Sequence, residues 1–215
     1  MENYPDIEEP KKKGFTVGKL FKWLAFAVIA AIYLILIARC SMYRDDKIVS
    51  EILVNDVTCA AYQAAPENFT VEQYGMQKAW VAITEGRMVE FNYLYHIKAA
   101  KQLQISVKFN KDIFADEKTP ADSLKFYLTD ENGTVYDEYF YKEKQKFDYR
   151  YIRLCFENVE LTDEALSPDE SGAVPRKSYT LHFEKPMPDG SYEEVCAYRI
   201  YSGSDISKKI PFSLK

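Results

Sequence analysis

The chain has 215 residues, 47% of them hydrophobic and 28% charged, with 17 Tyr, 13 Phe and a formal net charge of −5. That is room for one globular domain with an appendage and excludes two large domains. Eight Gly and nine Pro exclude a collagen-like or low-complexity chain, and the acidic balance argues against nucleic acid as a partner.

The first predicted element is a membrane helix. Trp23 to Ala38 reads WLAFAVIAAIYLILIA, without a charge. At about 1.5 Å per residue this run covers ~24 Å of a ~30 Å hydrocarbon core. Leu20 and Phe21 extend it towards the N-terminus, while Lys19 and Lys22 can carry their ammonium groups to the headgroups. The predicted span is 18–38, preceded by a cytoplasmic tail, 1–17. A soluble helix of this length would carry a polar stripe at the 3.6 period, and this one has none.

Orientation follows from the basic residues. Lys11, Lys12, Lys13, Lys19 and Lys22 precede the apolar run, against Arg39, Arg44 and Lys47 just after it. That bias predicts a cytoplasmic N-terminus and an exported C-terminal region. Leu36-Ile37-Ala38 lacks the small residue at −3 that signal peptidase requires, so an uncleaved signal anchor is expected. Ile37-Ala38-Arg39-Cys40 departs from a lipobox at Arg39. Lys13-Gly14-Phe15-Thr16-Val17 departs from a prepilin site because Lys19 stands where that family carries Glu.

A short helical neck, 39–66, is predicted next. Asp45-Asp46 can cap a helical turn bearing Ile48, Ile52 and Leu53. Asn55-Asp56 can cap a second helix that stops at Pro66.

Strand signals dominate the remaining domain, 67–215. Phe69, Val71 and Gln73 alternate with polar partners, and Ala79 to Thr84 follows. Val89, Phe91, Tyr93, Tyr95 and Ile97 then define one face, and Leu103, Ile105, Val107 and Phe109 another. Leu124, Phe126 and Leu128 precede Asn132-Gly133, the turn of a hairpin into VYDEYFYK. Further strands are expected over 149–159, 179–184 and 194–201, with long loops over 110–122 and 162–177. About eight alternating strands predict a mainly β fold, an antiparallel immunoglobulin-like β-sandwich, with a closed barrel as the competing architecture.

No recognisable catalytic constellation emerges, and the chain is not expected to be an enzyme. The two histidines, His96 and His182, fall on the polar side of their strands and are expected to be exposed. Zinc spacings, phosphate-binding glycine loops and a nucleophile elbow are absent, so no metal or cofactor is expected. Asp163, Glu164, Asp169 and Glu170 lack the spacing of a calcium loop. Cys155 and Cys196 sit at phases that set their thiols on opposite sides, so no disulfide is expected between them. The sequons at Asn68 and Asn132 need no modification to explain them, since Asn132 already has a turn role.

The aromatic residues are the candidate binding feature. Tyr139, Tyr141, Tyr149 and Tyr151 are expected to share one face of a hairpin, with Tyr136 and Phe140 on the other. Either one face lies under the neck or a loop, or it is an exposed strip able to bind a glycan or a protein.

KGFTVGKLFKWL, one apolar span, the neck YRDDKIVSEIL, and then AAKQLQISVKFN, LTDENGTVYDEY and YRYIRLCFENVEL occur in that order. This arrangement resembles uncharacterised single-pass envelope proteins of Gram-positive bacteria with an immunoglobulin-like extracytoplasmic domain of unknown function. The resemblance implies location and fold and assigns no catalytic or binding residue. The expected function is a membrane-anchored binding module of the cell envelope, touching another envelope protein or a wall component. The alternatives are an accessory subunit of a transporter or secretion complex, and a wall hydrolase using a carboxylate pair.

Overall fold

A computed structural model describes residues 17–74, 79–84, 87–113, 123–161, 178–201 and 206–214. The chain divides into two compact units, residues 1–44 and 45–215. The long loops expected over 110–122 and 162–177 fall largely or wholly outside the described residues.

In the first unit one helix, α1, runs from Val17 to Tyr43. Its segment Val17–Met42 is long and apolar enough to cross a membrane. Trp23, Phe26, Ile29, Tyr33 and Ile37 are all exposed, so apolar side chains project on every side.

The second unit is mainly β and antiparallel. After the 3-10 turn Lys47–Ser50 and helix α2 (Asp56–Ala64) come strands β1 (Thr70–Tyr74), β2 (Ala79–Thr84), β3 (Arg87–Ile97) and β4 (Gln102–Asn110). They continue with β5 (Lys125–Asp130), β6 (Val135–Tyr136), β7 (Tyr139–Lys146), β8 (Tyr149–Phe156), β9 (Ser178–Pro186), β10 (Tyr192–Tyr201) and β11 (Ile206–Pro211). Sheet A has the order β11-β1-β3-β4-β8-β7, with β2 also on β3; sheet B has the order β10-β9-β5-β6. The described strands therefore form two sheets rather than one closed barrel.

The two sheets share a core for the reason the alternation gives. Leu103, Ile105, Val107 and Phe109 of β4 and Ile152, Leu154 and Phe156 of β8 meet Phe126 and Leu128 of β5 and Leu181 and Phe183 of β9. Across the interface Phe109 lies 5.3 Å from Phe183, and Phe91 stacks on Tyr198 at 4.8 Å. The Asn132-Gly133 turn forms as expected. Gly133 takes φ +80°, and Asp130 Oδ1 accepts from the Asn132 and Thr134 N–H groups. VYDEYFYK is not one strand, however. Val135–Tyr136 pairs in sheet B, and the chain crosses at Asp137-Glu138 so that Tyr139–Lys146 pairs in sheet A.

One bulge changes the reading of β3. Asn92 pairs with Ser106 and Tyr95 with Gln104, so β3 holds one residue more than its partner there, and Tyr93 takes φ +50°. The extra residue inverts the alternation. Val89 and Phe91 face sheet B, but so do Leu94 and His96, whereas Tyr95 and Ile97 turn to the opposite side. The expected exposure of His96 is thereby corrected: it is 1% exposed.

Strand β11 was not foreseen; it pairs with β1 at one border of sheet A, and Phe212 beyond it packs 5.1 Å from Phe69. A second tie joins the sheets at the corner after β8, where buried Tyr179 of β9 donates its hydroxyl to the Glu160 carbonyl at 2.8 Å. Tyr179→Phe removes that donor from the Glu160 carbonyl. Urea unfolding of the variant is expected to show a loss of about 1–2 kcal/mol.

Candidate functional site

The outer side of sheet A is not a free surface. Residues 45–64, the larger part of the neck expected over 39–66, lie across it. Ile48, Val49 and Leu53 are buried, and Ile48 and Val49 pack with Tyr151. Gln104 behaves as a surrogate peptide unit: its Oε1 accepts from Leu53 N–H at 2.9 Å, and its Nε2 donates to the Leu53 carbonyl at 2.8 Å. Gln102 accepts from the Thr58 hydroxyl at 2.8 Å and donates to Asn55 Oδ1 at 2.9 Å. Asn55 and Thr58 also form the capping box of α2. The caps were legible, Asp46 on the 3-10 turn included, but their docking on β4 was not.

Charge reinforces this strap. Asp45 pairs with Lys108, Glu51 with Lys142, and Asp46 with Lys144 at 2.9 Å. Burial raises the Asp46 pKa, but the Lys144 hydrogen bond and the Ile48 N–H outweigh it, and the carboxyl ends below its ordinary value. Arg153 is fully buried beneath the strap. Its Nε donates to the Glu51 carbonyl at 2.9 Å and its Nη1 to the Tyr93 carbonyl at 2.6 Å. The Tyr95 ring lies 4.5 Å from the guanidinium carbon, and burial brings the Arg153 pKa down to about 10.

The four tyrosines do not make one strip. Tyr139 and Tyr141 pair with Phe156 and Leu154, on the side of sheet B, where Tyr139 joins the core and Tyr141 remains exposed. Tyr151 and Tyr149 pair with Lys144 and Lys146 on the opposite side, where Tyr151 is buried under the strap and Tyr149 is partly buried beside it. Cross-strand partners share a face, and here odd positions pair with even ones, so equal parity on β7 and β8 means opposite faces.

Cys155 and Cys196 are both free and buried. Cys155 lies on the strap side of β8 and Cys196 in the core between the sheets, and burial pushes each thiol up to about 12.

The open sheet face is the outer side of sheet B. His182 lies there, partly exposed, with Nδ1 2.7 Å from Glu194 Oε2 and Nε2 3.0 Å from Thr129 Oγ1. Its ring stacks on Tyr127 at 4.6 Å. The Tyr127 hydroxyl donates to Glu184, and burial together with that carboxylate pushes the phenol up to about 12. Lys125 covers Tyr127 at 5.2 Å. The order Thr129–His182–Glu194 is that of a nucleophile, base and carboxylate. An oxyanion needs convergent N–H donors, and the nearby Asn132 and Thr134 amides are both committed to Asp130. The row is a hydrogen-bonded ladder in which Tyr127, Thr129 and His182 are partly buried and Glu194 is exposed.

Among the described residues no group of three His, Cys, Asp or Glu side chains is placed to hold a metal ion. Asp163, Glu164, Asp169 and Glu170 lie outside those residues. Comparison with protein-family models, with curated proteins and with solved structures finds no match for this chain.

Proposed function

We propose that the chain is a single-pass envelope protein with its N-terminus in the cytoplasm, α1 as an uncleaved anchor, and an immunoglobulin-like extracytoplasmic domain serving as a non-catalytic interaction module. Its partner is another envelope protein or a wall component. The lysine bias around α1 supports the orientation. The strand orders support the fold assignment: β3-β4-β8-β7 corresponds to strands ABED of an immunoglobulin sandwich, and β10-β9-β5-β6 to GFC with an added C′. Tyr179, near the start of the F-equivalent strand, bonds the Glu160 backbone nineteen residues upstream, a tie similar in kind to the tyrosine corner of that fold.

The observation that carries the functional reading is the contrast between the sheets. Sheet A has its outer side filled by the chain's own residues 45–64, while sheet B exposes Lys125, Glu194 and Arg199, with Tyr127 and His182 partly exposed beside them. A photo-crosslinking residue at Ala197 in whole cells is expected to capture a discrete envelope component. The same residue at Ala30, within α1, is expected to capture none. Adducts from Ala30 alone would favour the accessory-subunit reading, in which the span carries the contact, and overturn this one.

A further inference from the structure

His96 occupies an unusual place for an ionisable group. The β3 bulge turns it inward, where it pairs across the strands with Glu72 of β1 on one side and Leu103 of β4 on the other. Its Nε2 accepts a long hydrogen bond, 3.5 Å, from the Leu161 N–H. Leu161 belongs to the corner that follows β8. That corner is further held by Val159 N–H donating to the Lys101 carbonyl at 2.9 Å, and by Tyr179 donating to Glu160. The charged and titratable groups facing His96 are Glu72 and Tyr74 from β1, Lys98 from the 3-10 turn after β3, and Glu160 from the corner itself. Glu72 is already engaged by the Tyr74 hydroxyl at 3.2 Å and by Lys98 at 3.5 Å.

We propose that His96 is an acid-sensitive pin: protonation of its imidazole releases the Val159–Leu161 corner and with it the tie between the two sheets. An imidazolium has two donors and no acceptor, so it cannot receive the Leu161 N–H and sets one N–H against another. Charging the ring in place also costs desolvation, which opening the corner relieves. Burial is the larger influence and holds the His96 pKa below its ordinary 6.5, although Glu72 and the Val159 carbonyl oppose it. The sign follows. Above pH 6.5 the ring is neutral whether the corner is closed or open. Below it the open form takes up the proton first, so the corner weakens as pH falls from 6.5 towards the closed-state value.

Amide hydrogen exchange of the full chain in detergent micelles tests this. Between pH 6.5 and 5.5 the opening equilibrium at Leu161, corrected for the intrinsic rate, is expected to rise up to about fivefold. The amides of Ile105 and Leu154 serve as unaffected references. His96→Gln keeps an acceptor for Leu161 but cannot charge, and is expected to abolish the pH dependence. His96→Met, uncharged and of comparable bulk, makes the same comparison if the glutamine variant does not fold. Equal protection of wild-type Leu161 at both pH values overturns the proposal, as does an acid-dependent opening that survives either substitution.

Discussion

A chain that begins at Asp45 is expected to unfold cooperatively in urea, whereas one that begins at Glu67 is expected to have lost most or all of its stability. The strap contributes three buried apolar side chains, Ile48, Val49 and Leu53, each worth about 2 kcal/mol. To these it adds the paired hydrogen bonds of Gln104 with Leu53, those of Gln102 with Asn55 and Thr58, and the Arg153 contact with Glu51, each about 1 kcal/mol. The sum approaches the whole stability of an ordinary domain, about 5–15 kcal/mol. Removal also strips the cover from Tyr95, Ile97, Tyr151 and Cys155, turning a buried sheet face into an exposed apolar one. Urea titrations followed by near-UV circular dichroism compare the two chains directly. Equal midpoints would mean that residues 45–64 are a tether and not a layer of the fold.

How much of this was legible turns on which cues are local. The apolar run from Trp23 to Ala38, the caps at Asp46 and Asn55, the Asn132-Gly133 turn and the alternation of β4 all depend on residues within a few positions of one another, and each appears in the structure. What failed depends on distant chain. Gln102, Gln104, Ser106 and Lys108 are the polar positions of the β4 alternation, and nothing in β4 announces that residues 45–58 will cover them. The bulge at Tyr93 carries no Gly or Pro to flag it, and one extra residue there sufficed to send His96 inward and Tyr95 outward. The tyrosines of β7 and β8 were assigned one face by parity, but the register across the turn is odd against even. Amides at alternate strand positions were the available hint. Gln at two successive outward positions offers the donor and acceptor that a crossing backbone segment needs.

Arg153 provides the sharpest test of what the buried strap face is for. Its guanidinium is fully buried, yet its hydrogen bonds go to two carbonyls, Glu51 in the strap and Tyr93 in the bulge, so one side chain fastens both irregular features to β8. A desolvated cation is costly, and replacing buried ionic groups by apolar ones of similar volume is often neutral or stabilising. Here the apolar replacement would take the donor from two partly buried carbonyls, which sets the expectation the other way. Arg153→Met, which keeps most of the volume, is expected to lose about 2 kcal/mol. Arg153→Ala, which adds a cavity, is expected to lose about 4 kcal/mol. Arg153→Lys should resemble the methionine variant, because a single ammonium lacks the planar fork that reaches both carbonyls. Loss of the fork should also free the strap locally, so trypsin is expected to cleave after Lys47 several-fold faster in Arg153→Met than in the wild type under native conditions. A methionine variant as stable as the wild type, with Lys47 equally protected, would show that strap and bulge are held without Arg153, and that the buried charge contributes nothing to either.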